Sequence, residues 1–426
     1  MDRKAEVTGH LDGNFLGDAF GSVSGGFLAK VTEGIVMLFD ETLREVIRSP
    51  SIKLTAGEGS TFTLFNVTIG NRFHWERTED QTFQGDLILR SSKDGTISAI
   101  NEIPLEDYLT SVISSEMSAA APMEFLKVHA ILSRSWLLAA LGRGKKTKEA
   151  PASASETTEG EGEVKRWYER EDHDLFDVCS DDHCQRYQGI TKVISKQAVE
   201  AVRETFGAVI TFNGEICDAR YSKCCGGITE EFDTAWDDKT FPYLESISDA
   251  SILYPPIRTE EEASAWVLSE PGVYCQTKDE RLLEKILPGS DRETKNFFRW
   301  RIEYSREELE EILREKSGFD FGTVKEIIPL RRGPSGRISR MKIVGSKQSM
   351  VVGKELEIRR WLSRSHLFSS AFVVRVEGER FTFYGAGWGH GVGLCQIGAA
   401  VMASEGFSAE KILKHYFRGT EIKKIY

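Results

Sequence analysis

Residues Gln84–Met117 read QGDLILRSSKDGTISAINEIPLEDYLTSVISSEM, and the hydrophobic period changes inside this stretch. Before Glu102, short apolar runs flank Asp94-Gly95, the dipeptide favoured in tight hairpin turns. From Leu105 onward, Leu105, Leu109, Val112 and Ile113 recur at helical spacing and form one apolar face. Strands therefore precede this point and helices follow it. The sequence predicts an α+β fold: a helical core with antiparallel sheet elements and an N-terminal β module.

Towards the N-terminus, GIVMLFD and STFTLFNVTIG read as further strands broken by Gly and polar turns. Towards the C-terminus, PMEFLKVHAILSRSWLLAALG predicts a helix with Pro122 in its first turn and Gly142 closing it. Leu126, Ala130, Ser133, Leu137 and Leu141 form its packing stripe. Residues 142–166 are rich in Ser, Thr, Gly and charge, and predict a surface loop. A capped helix follows at SKQAVEAVRETFG, then a hairpin around Asn213-Gly214. SREELEEILREKSGF reads as an amphipathic helix, and TVKEIIPLRRGPSGRISRMKIVG as a pair of strands. The C-terminal segment predicts a strand, a Gly-rich loop, a helix near Leu394–Glu405 and another from Ser408. Four regions are expected: a β module over 1–82, a core over 83–250, an α+β insertion over 251–372, and a segment over 373–426 that completes the core.

The 426 residues carry a formal charge of −11, which disfavours a generic nucleic-acid surface. No run approaches the ~18 apolar residues of a membrane span. The opening MDRKAEVTGH lacks the pattern of a secretory signal. Seven cysteines in a chain this long do not make a disulfide scaffold.

Three stretches bear chemistry. HDLFDVCSDDHCQRYQG, from His173 to Gly189, offers zinc two thiolates, Cys179 and Cys184, with His173 or His183 as imidazole donors. Three ligands leave a position for water, whereas four close the site; the alternative is a pair of ordinary thiols or a disulfide. His173 is the preferred third ligand, because His183 adjoins Cys184. GAGWGHGVG, residues 385–393, sets Trp388 and His390 among five glycines, either as a sugar-binding loop or as a tight structural turn. It lacks the lysine of a phosphate-binding loop. Glu116, at the end of the first helix, has the chemistry of a general acid if apolar neighbours desolvate it. YSKCCGGITEEFDTAWDD lines a cleft or is a plain loop. Cys225 has no His nearby in sequence to make it a nucleophile.

NEIPLEDYLTSVISSEM, AILSRSWLLAA, HCQRYQG, CCGGITEEFDTAW and GWGHGVGLCQIGA, in this order, resemble the stage II sporulation protein D family, which includes amidase enhancers. The resemblance covers about Phe83 to Tyr426. It implies a lytic transglycosylase that cleaves peptidoglycan between N-acetylmuramic acid and N-acetylglucosamine, with Glu116 as the single acid and base. It implies Zn2+ held by His173, Cys179 and Cys184, with His183 beside them. It implies substrate contacts from Trp388, Gly389, His390, Tyr221, Ser222, Arg134 and Gln396. The partners implied are glycan strands in the cell envelope or, alternatively, a cell-wall amidase stimulated by a non-catalytic protein. Two motifs depart from the family: SKCCGG stands where HSTSGG is common, and CQIG where SQYG is common.

Overall fold

The computed structural model describes residues 4–17, 20–71, 73, 76–147, 158–160, 162–168, 173, 175–289, 291–294 and 296–426. It divides into two compact units, residues 1–120 with 172–206, and residues 121–171 with 207–426. The architecture is α+β, as the sequence indicates.

The first unit is built on a nine-stranded antiparallel sheet whose main path runs from Glu45–Ser49 to Ile97–Glu102. The strand Glu6–Gly17 is its organiser. It pairs with Gly21–Thr32, and a register shift between Leu11 and Phe15 divides its other edge between Thr61–Ile69 and Ser51–Ala56. Such a bulge bends a strand and increases its twist. Alternate residues, among them Leu11, Phe15, Phe62, Leu64, Leu87 and Leu89, point into the core and are almost wholly buried. The Asp94-Gly95 turn joins Asp86–Ser91 to Ile97–Glu102 in register, with Gly95 at φ +76°.

An aromatic column leads from this sheet to the helix Leu105–Glu116. Phe62 stacks on Phe83 at 5.1 Å between centroids, Phe83 meets Tyr187 at 5.9 Å, and Tyr187 stacks on Tyr108 at 5.0 Å. The Cys/His segment is pinned to the strand Arg77–Gln84. Ile190 donates its N–H to the Thr82 carbonyl at 2.8 Å, and Thr82 donates its own to Thr191 Oγ1 at 2.8 Å. Gly189 directly precedes these contacts at φ +58°, and a Cβ there would sit 2.1 Å from the Thr82 carbonyl oxygen.

The second unit holds several smaller sheets. One runs Thr158–Gly160, Glu163–Lys165, Ser349–Gly353, Ile338–Gly345, Val324–Arg332. Another sets Arg380–Ala386 between Arg299–Ser305 and Phe372–Glu377. Their apolar faces share a core with Leu309, Leu313, Ile358 and Trp361. The helix Arg306–Ser317 begins where Ser305 Oγ accepts the Glu308 N–H and stops at Gly318, φ +79°. A third sheet joins Glu215–Ile216, Ala208–Phe212 and the C-terminal Glu421–Lys424. Tyr221–Ser222 pairs in parallel with Leu394–Cys395, ahead of the helix Gln396–Ser404.

Two expectations are corrected here. The helix Met123–Thr147 does not close at Gly142 but continues past it. The stretch 142–166 is not all loop: Glu163–Lys165 is a strand, parallel to Ser349–Gly353, while residues 148–157 lie outside the described residues. Among the described residues no helix is long and apolar enough to cross a membrane.

The packing at Gly189 gives a direct test. Gly189→Ala combines a backbone clash with an unfavourable φ, and should cost ~1–3 kcal/mol in urea unfolding. Gly289→Ala, whose added methyl meets open space, should leave the midpoint unchanged. Equal midpoints for the two variants would contradict the packing described.

Candidate active site and metal centre

Glu116 is the last residue of the helix Leu105–Glu116. Glu106 and Asp107 in the first turn suit the positive end of the helix dipole, and Leu109, Val112 and Ile113 bury one face. The chain turns to extended backbone at Met117, which fixes the carboxyl at the helix end. The side chain is only 7% exposed. Its Oε1 accepts the backbone N–H of Arg186 at 3.0 Å, and Ser115 Oγ accepts that of Gln188 at 3.2 Å. The Arg186 guanidinium reaches Asp182, with Nε 2.5 Å from its carboxylate. Tyr108, one turn into the helix, donates to Gln185 Oε1 at 3.2 Å. Burial, with the negative charge of Cys184 and Glu116 adding to it, raises the phenol well above its ordinary value, so it stays a donor.

The residues that grip Glu116 directly follow the Cys/His cluster. The ligand atoms of His173, Cys179, His183 and Cys184 all lie within 4.8 Å of one another. Cys184 Sγ is 3.5 Å from His173 Nε2 and 3.5 Å from His183 Nδ1, and Cys179 Sγ is 3.8 Å from His183 Nδ1. A tetrahedral zinc with Zn–S of about 2.3 Å and Zn–N of about 2.0–2.1 Å sets neighbouring S and N atoms about 3.5 Å apart. The donor set fits that metal. His183 reaches both sulfurs despite adjoining Cys184, so four side chains, His173 among them, could offer a donor atom to one ion. The hydrogen bond from the Cys184 thiol, opposed by burial and helped by both imidazoles, pulls the Cys179 thiol down to about 2.

The other expected site residues lie in the second unit. Trp388 is 9% exposed; its backbone pairs with Cys224 in both directions, and its ring meets Phe368 edge-on at 5.8 Å. Gly389, at φ +92°, donates its N–H to the Phe368 carbonyl, and a Cβ there would press on Ser222 at 3.2 Å. His390 is half-buried against Trp236, and its Nδ1 accepts the Val392 N–H at 3.0 Å. Burial, then the positive charges of Arg220 and Arg337, hold this imidazole well below its ordinary value, so it is neutral. Tyr221 is half-buried, while Ser222 is buried with no hydrogen-bond partner for its hydroxyl among the described residues. Arg134 is wholly buried and donates to the Ala208 carbonyl at 2.9 Å, a position that packs its helix against a strand.

Gln396 belongs to a group that sequence reasoning missed. Its amide lies 2.9 Å from His129 Nε2, His129 Nδ1 lies 3.1 Å from Ser133 Oγ, and the Tyr221 ring meets the imidazole at 4.9 Å. Burial, then the charge of Lys223, brings His129 down to about 3. In sequence, a single His within an apolar helical stripe reads as core; its pairing with a distant Gln leaves no local signal.

Residues 93–212 match the family model described as "Stage II sporulation protein", and residues 230–393 match a domain of unknown function, DUF8618. The chain is 25% identical over 334 residues to stage II sporulation protein D of Bacillus subtilis, covering 76% of each chain. It is 24% identical over 327 residues to the protein of the same name from Bacillus amyloliquefaciens, again covering 76% of each. It is 26% identical over 246 residues to an amidase enhancer of Bacillus subtilis, covering 52% of this chain and 32% of that one. The matched model and these relatives show that the chain is similar to the stage II sporulation protein D and amidase-enhancer family.

Proposed function

We propose that this protein works on the bacterial cell wall as a lytic transglycosylase of peptidoglycan glycan strands, with Glu116 as its acid and base. The observation that carries this reading is a nearly buried carboxyl at a helix end that accepts the Arg186 backbone N–H. A carboxyl so placed has the chemistry to serve both halves of a proton cycle.

In the first half, Glu116 protonates the glycosidic oxygen as the bond to the muramic C1 breaks and positive charge develops on that ring. In the second, the carboxylate takes the proton of the muramic C6 hydroxyl, whose oxygen bonds to C1 and closes a 1,6-anhydro ring. The proton count balances, no water is consumed, and one carboxyl suffices where hydrolases use two.

Zinc bound by His173, Cys179, His183 and Cys184 would supply a rigid cross-link. With four protein ligands the site is closed, which suits structure rather than activation of water. It would fix the segment whose backbone grips Glu116. In the second unit, considered by itself, Tyr221, Gly389 and His390 are half-buried, whereas Ser222, Trp388 and Gln396 are buried. Location in the cell envelope follows from the same reading.

The match to an amidase enhancer favours a second reading, a glycan-binding protein that stimulates a cell-wall amidase without cleaving glycan.

Glu116→Gln keeps shape and hydrogen bonding but cannot supply or accept the proton. Turnover of peptide-free glycan strands should fall at least ~10²-fold with an unchanged circular dichroism spectrum; undiminished turnover would remove Glu116 from the role. Cys179→Ser/Cys184→Ser should lower bound zinc by one equivalent and lower activity with it. A variant that keeps its full zinc content would exclude these ligands.

A further inference from the structure

Cys225, Asp249, Cys275 and Cys395 converge in the second unit, with ligand atoms all within 4.8 Å of one another. All four side chains are buried: Asp249, Cys275 and Cys395 are wholly inaccessible and Cys225 is 2% exposed. The thiols are free. We propose that these residues form a second structural metal centre, which binds Zn2+ through three thiolates and one carboxylate.

Three observations converge on this. Cys225 Sγ and Cys275 Sγ lie 3.8 Å apart. Two thiolates on a tetrahedral zinc, with Zn–S of about 2.3 Å, are separated by about 3.8 Å. Second, backbone N–H groups are aimed at the sulfurs: Cys225 N lies 3.2 Å from Cys395 Sγ, and Gly227 N lies 3.3 Å from Cys225 Sγ. Such hydrogen bonds to sulfur are a usual outer layer of thiolate metal sites. Third, Asp249 is a buried carboxylate that no Lys, Arg or His pairs with among the described residues. Its oxygens instead accept the Cys275 N–H at 2.8 Å and the Tyr416 hydroxyl. Each oxygen keeps a lone pair free for a cation. A buried anion with no cation is costly, and a metal ion supplies the missing charge. Gly398 leaves the carboxylate its space, since a Cβ there would lie 2.3 Å from Oδ1.

The four donors come from separate parts of the chain. Cys225 lies in the loop after Tyr221–Ser222, Asp249 and Cys275 flank irregular backbone, and Cys395 caps the helix Gln396–Ser404. Binding displaces three thiol protons to solvent and leaves three Zn–S bonds and one Zn–O bond. The centre would brace the loop whose Cys224 pairs with Trp388. It is independent of the function proposed above and shares no residue with the His173 cluster.

The test uses the full chain carrying Cys179→Ser/Cys184→Ser, grown with zinc and purified without chelator. Elemental analysis should find one zinc per chain, and X-ray absorption of that zinc should show three sulfur neighbours at about 2.3 Å and one lighter neighbour. Adding Cys275→Ser should remove the zinc, while Cys224→Ser should retain it. A folded parent variant without metal would overturn the proposal, as would a Cys225–Cys275 disulfide in its non-reduced peptide map. Because the parent variant is read by its own metal content, failure of Cys275→Ser to fold leaves the test decisive.

Discussion

The hydrogen bond from the Arg186 backbone to Glu116 Oε1 is the constraint on which the proposed chemistry depends. It joins a helix end, fixed by the apolar face of Leu105–Glu116, to a segment that has almost no regular secondary structure of its own. A backbone donor cannot be swapped by changing a side chain, so its position is set by everything that holds residues 173–192. The Tyr187 column, the Gly189 contact with Thr82 and the Cys/His cluster all act on that one position.

Irregular segments are expensive to order, because each residue gives up conformational freedom without a repeating ladder of hydrogen bonds. The first unit meets that cost with aromatic stacking, side-chain bonds to strand Arg77–Gln84, and a donor set matched to zinc. Binding a metal only in the folded state adds its free energy to folding. The second unit shows the same arrangement around Cys225, Asp249 and Cys275, where backbone segments bond to one another: Asp249 donates to the Gly227 carbonyl and Tyr274 to that of Asp249. In both places, clustered Cys, His or Asp side chains stand where regular structure is thin.

Much of this was legible in the sequence, and the reasons are particular. Asp94-Gly95 and Asn213-Gly214 marked hairpins because each turn needs a positive φ that glycine accepts readily, +76° at Gly95 and +85° at Gly214. Ser305 and Gly318 marked both ends of a helix. Cys179, His183 and Cys184 were visible because they are close in sequence. Gly142 misled: an exposed helical glycine costs only ~1 kcal/mol, too little to end a helix. The grip on Glu116 left no trace, since it comes from a backbone N–H that every residue except proline carries. The cluster of Cys225, Cys275 and Cys395 was hidden for another reason: its members become neighbours only after the loops between them fold. His173 was preferred over His183 because His183 adjoins Cys184, yet the turn from Asp181 to Cys184 brings His183 Nδ1 within 3.5 Å of Cys184 Sγ.

The central claim is that one buried carboxyl both opens the glycosidic bond and closes the sugar ring. Mass spectrometry of the fragments released by the wild-type protein from purified, peptide-free glycan strands tests it most directly. The account predicts muramic ends in the 1,6-anhydro form, lighter by one water than reducing ends. Reducing ends alone, or intact strands accompanied by stimulation of an added amidase, would contradict it.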